Sequence, residues 1–474
     1  MSRAGILVNR KLDVPLHRQL AASIRDAILA GRLRAGERLL SSRELQQHLG
    51  LSRNTVVEAL EQLHAEGFLQ TVRGVGTFVS ESFQRSAAPG KTRVRVATSA
   101  ASKAYLAALP LTDSLGPVAP FRPGVPALDL FPAAQFKRCF HTEDWSADRL
   151  DEPHSLGLPA LREAIARRLK QTRGVACDPA QILITCGAQA ALDVVATVLL
   201  RPRDCVLVED PGFPNARAVF AAREAVAVPG RVDRDGVDPS LFPRKAARLV
   251  YVTPSHQYPS GAMLSLERRL ALLRWAEKHD AWILEDDYDS EFNYTGRPQP
   301  ALHGLAGGRR VLYLGTMSKV LSPALRIAFL VVPPELRRPI EAAHRVSGNV
   351  QNTIVQAALA RFMDAGYFAR HIAKMRKVYD ERRRFVAASL GSVAGDSFRI
   401  RDSLAGLHFI AELPAGISDV AFSAAARKRG VIVPPLSRYY WAMRPENGIL
   451  VGFAATPPAK ARAAVATLAA CLPR

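Results

Sequence analysis

The sequence predicts a multi-domain chain: a small α+β module at the N-terminus and a much larger α/β module after it. Three observations point there. The 474 residues exceed what a single core organises, on a prior of ~150 residues per domain. Residues 14–80 carry short helical patterns that end in a glycine-punctuated hairpin, whereas from about residue 119 apolar β-like runs alternate with helical stretches. Between the two, residues 81–118 are rich in Ala, Ser and Pro, with a basic cluster at Lys91, Arg93 and Arg95, and read as a linker, extended or partly helical. The expected domains are therefore 1–80, the linker 81–118, and 119–474.

Composition narrows the function classes. No apolar run approaches the ~20 residues of a membrane span. The opening MSRAGILVNRKLDVP has no apolar core long enough for a secretory signal, so the cytoplasm is the expected compartment. Cys139, Cys177, Cys186, Cys205 and Cys471 form no C-x-x-C pair, which argues against a disulfide framework or structural zinc; no metal is expected. A net charge of +21 favours an anionic partner. Residues 1–85 hold only 12 Lys/Arg against 8 Asp/Glu, so most of the surplus lies beyond the first module. The charge supports DNA binding without establishing it.

In the first module, PLHRQLAASIRDAILAGRL is an amphipathic helix in which Leu16, Leu20, Ile24, Ile28 and Leu29 recur near i, i+4 and i+8, with Gly31 and Gly36 stopping it. SSRELQQHLG follows, with Ser41 or Ser42 as N-cap and Gly50 as the stop. Ser52 caps a third helix, SRNTVVEALEQLHAEG, that buries Val56, Leu60 and Leu63, and FLQTVRGVGTFVS folds back around Arg73-Gly74-Val75-Gly76. Helix, helix–turn–helix and hairpin wing make a winged helix-turn-helix. A recognition helix presents its N-terminal residues to base edges in the major groove. Here they are Ser52, Arg53, Asn54 and Thr55, and Arg53 has the fork for bidentate pairing with guanine. Arg43, early in the preceding helix, and Arg73 at the wing tip stand where phosphate or minor-groove contacts fall. The competing reading is a three-helix protein-interaction module with solvated arginines. P-L-H-R-Q-L, G-x-L-x-x-G-E-R-L-x-S-S-R-E-L, L-S-R-N-T-V, E-G-F-L and R-G-V-G-T-F-V closely resemble the DNA-binding domain of the GntR family. That resemblance implies DNA contacts at Arg43, Arg53 and Gly74. Leu40 departs from it, standing where many members have proline.

In the second module, VLYLGTMSKVLSPALRIAFLVVP sets a strand from Val311 to Leu314 before Gly315-Thr316-Met317-Ser318-Lys319, and another from Ile327 to Val332 after Arg326. A lysine at such a strand end suits a Schiff base with an aldehyde cofactor, and Thr316, Ser318 and Arg326 suit its phosphate. ILEDDYDSEF places Asp286 where a carboxylate holds a pyridine nitrogen protonated, with Tyr288 able to donate to a ring oxygen; the alternative is a cation-binding acidic cluster. ILITCGAQAALDVVATVLL runs strand, Gly187, helix, so the N–H groups of Ala188 and Gln189 offer an anion site. VLVEDPGFPNARAVF offers Phe213 to stack on a flat ring.

The strings T-C-G-A-Q-A-A-L, E-D-P-G-F, T-P-S-H-Q-Y-P-S-G, E-D-D-Y-D-S-E-F and G-T-M-S-K-x-L-x-P-x-L-R-I, in this order, resemble the fold-type I aminotransferases and, more narrowly, the MocR/GabR family. That family fuses a GntR-type domain to an aminotransferase-like body. The resemblance implies a pyridoxal 5′-phosphate (PLP)-dependent transferase fold of type I. A large part, about 150–335, holds a mostly parallel sheet; a smaller α+β part spans about 119–149 and 336–474. It implies Lys319 as the aldimine lysine, Asp286 on the pyridine nitrogen, Tyr288 on the ring oxygen, and Gly187, Ala188, Gln189, Thr316, Ser318 and Arg326 around the phosphate. Arg217 and Arg438 match positions that hold an effector carboxylate. Aminotransferases usually present N-P-T-G where this chain has Gln257-Tyr258-Pro259-Ser260-Gly261, so the asparagine that supports the ring oxygen is absent and either His256 or Gln257 replaces it. The expected function is a PLP-dependent transcription regulator, a homodimer that binds a double-stranded DNA operator. It senses a small amine or amino acid, or the cofactor itself, through an aldimine at Lys319. The alternative is a genuine aminotransferase with a DNA-binding appendage.

Overall fold

A computed structural model describes residues 5–83, 98–112, 119–141, 154–243, 247–294, 299–348, 352–394, 398–401 and 403–472. Two compact units emerge, Met1–Ala97 and Thr98–Arg474. The basic cluster Lys91, Arg93 and Arg95 lies outside the described residues.

In the first unit, α1 (Leu16–Leu29) turns Leu20, Ile24 and Ile28 into the core. Leu29 does not belong to that face: one residue on from Ile28 is about 100° round the helix, and Leu29 is 62% exposed. Helix α2 (Ser42–Leu49) is capped by Ser41, whose hydroxyl accepts from Glu44 N–H (3.3 Å) while the Glu44 carboxylate accepts from Ser41 N–H (2.7 Å), a reciprocal capping box. Gly50 ends it at φ +61, where a side chain is strained. Helix α3 (Arg53–Ala65) buries Val56, Ala59 and Leu63, with Leu60 half-buried at the core's margin. Strands β1 (Leu69–Val72) and β2 (Gly76–Val79) pair antiparallel as the wing. Leu20, Ile24 and Leu45 are fully buried and contribute roughly 1.5–3 kcal/mol each.

The second unit begins inside the interval expected as linker, with helix α4 (Ala100–Thr112). In chain order follow α5 (Ala133–His141), α6 (Pro159–Arg173), β3 (Ile182–Thr185), α7 (Ala188–Leu199), β4 (Cys205–Asp210), α8 (Pro214–Ala222), β5 (Val226–Asp233), β6 (Gly236–Val237), β7 (Leu249–Val252), α9 (Leu266–Lys278), β8 (Trp282–Asp287), α10 (Leu302–Leu305), β9 (Val311–Thr316) and β10 (Ala328–Val331). Then come α11 (Pro334–Val346), α12 (Thr353–Asp364), α13 (Tyr367–Ala394), β11 (Arg399–Arg401), β12 (His408–Glu412), α14 (Asp419–Lys428), β13 (Gly448–Gly452) and α15 (Pro458–Ala469). Helix α4 packs against α8 and is part of the folded body.

Among the described residues the main sheet has eight strands in the order β3-β10-β9-β8-β7-β4-β5-β6, and a separate sheet joins β11, β12 and β13. Strands β9, β8, β7, β4 and β5 run parallel. β10 is antiparallel to both β9 and β3, so β3 points the same way as β9. Parallel strands covered by helices on both faces must be apolar on both, which explains the continuous buried runs LVYV and VLYLGT. Alternation still sorts them: Leu312 and Leu314 join one core cluster while Val311 and Tyr313 fall in others. One edge of the sheet therefore collects the C-terminal ends of β3, β9, β8, β7 and β4, where α/β folds bind ligands.

Candidate functional site

In the N-terminal unit the recognition-helix residues divide in two. Ser52 caps α3, accepting from Thr55 N–H (3.2 Å), and its hydroxyl bonds that of Thr55 (2.7 Å). Arg53 and Asn54, between them, are exposed. Ser52 thus orients the helix start, while Arg53 and Asn54 face outward. Arg43, Arg73 and Gly74 are also exposed, and Gly74 sits in the wing turn at φ +79. One residue that sequence reasoning passed over is Arg10, which donates to Gly50 O at the turn before α3 (2.5 Å).

In the C-terminal unit the sheet edge builds one site from distant stretches. Lys319, just past β9, donates to Gly124 O (2.9 Å). Burial pulls its pKa down, against Asp289 and Asp286, which favour the charged amine. Asp286, at the end of β8, accepts from the Tyr251 hydroxyl (2.7 Å). Burial pushes this carboxyl up to about 7, although Tyr251 and Lys319 stabilise its ionised form. Its neighbour Asp287 is held away from the site by Arg173 (2.8 Å), so the acidic string is not one cluster. Among the described residues no three His, Cys, Asp or Glu side chains group as metal ligands.

Gly187 precedes α7 and gives it no side-chain cap, so the first amides of that helix face outward for an anion. The Arg326 guanidinium lies against it: a Cβ at Gly187 would come within 3.2 Å. Arg326 also donates to Cys186 O (3.1 Å) and holds a left-handed φ of +54. Thr316 and Ser318 complete this corner, with the Thr316 hydroxyl accepting from Ser318 N–H (3.1 Å). An uncapped helix start, a glycine that leaves room and a guanidinium converge here as a phosphate cradle needs. Together with the half-buried Lys319 amine and the buried Asp286 carboxylate, these residues fit pyridoxal phosphate.

Tyr288 bonds His256 Nδ1 (2.9 Å), and burial holds its hydroxyl protonated well above the ordinary range. Gln257 is committed elsewhere: its amide donates to Pro211 O (2.8 Å) and Glu209 (3.2 Å), and its oxygen accepts from Ser260 (2.6 Å). Of the two candidates for the missing asparagine, only His256 stands beside Tyr288. Phe213 meets Tyr258 edge-on with centroids 5.8 Å apart, and Tyr258 in turn meets Tyr288 at 5.9 Å. Arg217 lies over the Trp441 ring at 5.0 Å. Asp210 ties this wall together, accepting from the N–H groups of Trp441, Ala442 and Met443. Tyr439 bonds Tyr258 (3.1 Å), while Arg438 itself is exposed. Sequence reasoning missed Tyr251, Asp289, Ser403 and Gly124. Asp289 was within the D-D-Y-D-S-E-F string; the others carry no local signal.

Two family descriptions match the chain: bacterial regulatory proteins of the gntR family over residues 16–79, and aminotransferase class I and II over residues 146–468. The probable rhizopine catabolism regulatory protein MocR of Rhizobium meliloti is 37% identical, over 98% of this chain and 95% of that protein. The chain belongs to this MocR-type family of gntR regulators with an aminotransferase-like body. Another MocR-type relative, the pyridoxine biosynthesis transcriptional regulator PdxR of Corynebacterium glutamicum, is 34% identical over 94% of each chain. Among solved structures, the α-aminoadipate aminotransferase LysN of Thermus thermophilus, complexed with N-(5′-phosphopyridoxyl)-L-leucine, is 26% identical with a TM-score of 0.70, covering 76% of this chain and 93% of that one. The MocR-type chain is thus a transcription regulator whose gntR head binds DNA and whose body has a fold family that depends on pyridoxal phosphate. No helix among the described residues is long and apolar enough to cross a membrane.

Proposed function

We propose that this regulator binds pyridoxal phosphate at Lys319 and senses there a small amine, an amino acid or the cofactor itself, changing its affinity for a double-stranded operator. The observation that carries the proposal is the half-buried Lys319, whose amine is tied to Gly124 O with Asp286 and Asp289 bearing on it, on a sheet edge that also holds the Gly187–Arg326 cradle. When bound, pyridoxal phosphate supplies an aldehyde that condenses with primary amines and a ring that withdraws electrons. Lys319 supplies the amine, and its lowered pKa increases the fraction with a free lone pair. Asp286 holds a proton on a ring nitrogen, and Tyr288 donates to a ring oxygen. Gly187, Ala188, Gln189, Thr316, Ser318 and Arg326 hold the phosphate, and Phe213 covers the ring. Arg217 and Arg438 bind an effector carboxylate. In the head, Arg53 and Asn54 read bases while Arg43, Arg73 and the Gly74 turn meet the backbone.

The working form is a homodimer in the cytoplasm, whose two heads read two half-sites. Regulation requires the effector to bind two conformations with different affinity. The test is a panel of amines titrated into the purified full-length protein, with visible absorbance and operator affinity followed together. An effector is expected to move both. Repeated turnover of an amino donor with a 2-oxo acid, with no amine altering operator affinity, would overturn the regulatory reading in favour of an enzyme.

A further inference from the structure

Resting on the pyridoxal-phosphate reading, the hydrogen bonds around buried His256 carry one step more. Ser403 donates its hydroxyl proton to Ala405 O (2.9 Å), so its oxygen is the acceptor in the 2.9 Å contact with His256 Nε2. Nε2 therefore bears a proton, an assignment made from the surrounding network. The other ring nitrogen, Nδ1, faces two oxygens: Asp289 Oδ2 at 3.0 Å and the Tyr288 hydroxyl at 2.9 Å. An imidazole nitrogen has one in-plane position, for a proton or for a lone pair. Asp289 is buried, and its Oδ1 has no partner among the described residues, so its carboxyl group leans on Nδ1. Whichever atom of the Nδ1–Oδ2 pair holds the shared proton, Nδ1 has nothing left with which to accept from Tyr288.

We propose that Asp289 and His256, anchored by Ser403, are positioning residues that direct the Tyr288 hydroxyl proton away from the protein and toward a ligand in the site. The slot is built for the imidazole. A Cβ at Gly406 would fall 2.1 Å from His256 Cε1 and 2.5 Å from Asp289 Oδ2, and one at Gly261 would fall 3.3 Å from Nε2. Other titratable groups face the pair as well. His408, 5.1 Å away ring to ring, is pushed down to about 3 by burial and stays neutral, bonded to Pro259 O. Lys319 bears on Asp289 from the opposite element. Removing the Asp289 carboxyl group removes the shared proton with it, so the net charge of the pair is unchanged. Nδ1 is then free to accept from Tyr288, whose proton turns away.

The test uses the full-length protein in two measurements. In the cofactor-free wild type, histidine-nitrogen NMR, with His256 assigned by its loss in His256→Gln, is expected to show a protonated Nε2; a bare Nε2 overturns the proposal. In the protein loaded with pyridoxal phosphate, the pH midpoint of the visible band is compared in wild type, Tyr288→Phe, Asp289→Ala and the double variant. Both single substitutions should shift it in one direction, by roughly one to two pH units, the worth of one charge-assisted hydrogen bond. The double variant should go no further than Tyr288→Phe. Additive shifts, or none in Asp289→Ala, overturn the proposal. A wild type with no visible band overturns the cofactor reading instead, and the nitrogen measurement still decides the pair.

Discussion

The two units assemble their working surfaces in opposite ways. In the head, the residues offered to DNA are exposed and adjacent in sequence: Arg53 and Asn54 start one helix, and Arg73 and Gly74 turn one hairpin. In the body, the groups around Lys319 are mostly buried and come from Gly124, Tyr251, His256, Asp286 and Ser403. A groove-reading surface needs donors that face water until DNA arrives, so local helix and turn geometry suffices. A site that perturbs the pKa of an amine must exclude water, and here strand ends and loops from distant stretches of the chain come together to do that. One consequence is that single substitutions in the body should act on several neighbours at once, whereas those in the head should act alone.

The sharpest way to break the comparison is Lys319→Ala. If the body's chemistry converges on this amine, the variant loses the visible absorbance of bound pyridoxal phosphate entirely, while operator binding by the head in the absence of effector survives. A band that persists would remove Lys319 from the centre of the site. Arg326→Ala comes next: losing one guanidinium from the Gly187 cradle should weaken cofactor affinity by roughly 10–100-fold, as loss of a charge-assisted bond does, measurable by equilibrium titration.

Burial has a pH signature as well. Glu209 is pushed up to about 7 by burial, against bonds from Thr253 and Gln257. Its folded pKa lies above its unfolded one, so its contribution is most favourable at low pH and declines as pH rises from the ordinary carboxylate range through about 7. Relative to Glu209→Gln, the cofactor-free wild type should lose about a few °C of melting temperature between pH 5 and 8. A wild type that gains melting temperature relative to Glu209→Gln as pH rises would contradict the assignment.

The same contrast explains what was legible in the sequence. Ser41 and Ser52, Gly50 and the wing were readable because caps and turns depend on residues within four of each other. Lys319, Asp286 and Gly187 were readable because each stands at or just past the end of a strand inside a distinctive string. Ser403 and Gly124 were not, since each meets its partner across more than a hundred residues. Helix α4 falls where composition left extended and helical structure both open; it forms against α8, although Tyr105, Leu106 and Leu109 on it stay exposed. Leu29 escapes the pattern because it stands five residues after Ile24, one step beyond the i+4 stripe.

Two neighbouring residues in the head give the smallest effects and the finest discrimination. Arg53→Ala should cost ~1–3 kcal/mol of operator affinity and relax preference at one base position, with the thermal stability of the head unchanged. Ser52→Ala should do the reverse. Its hydroxyl is spent on Thr55, so removing it should destabilise the head by ~1 kcal/mol, the usual worth of an N-cap, and leave base preference intact. Competition binding against single-base operator variants, alongside denaturant unfolding of each protein, separates the two effects. If Ser52→Ala changed base preference and not stability, the cap would be a DNA contact, and the head would be as densely coupled as the body.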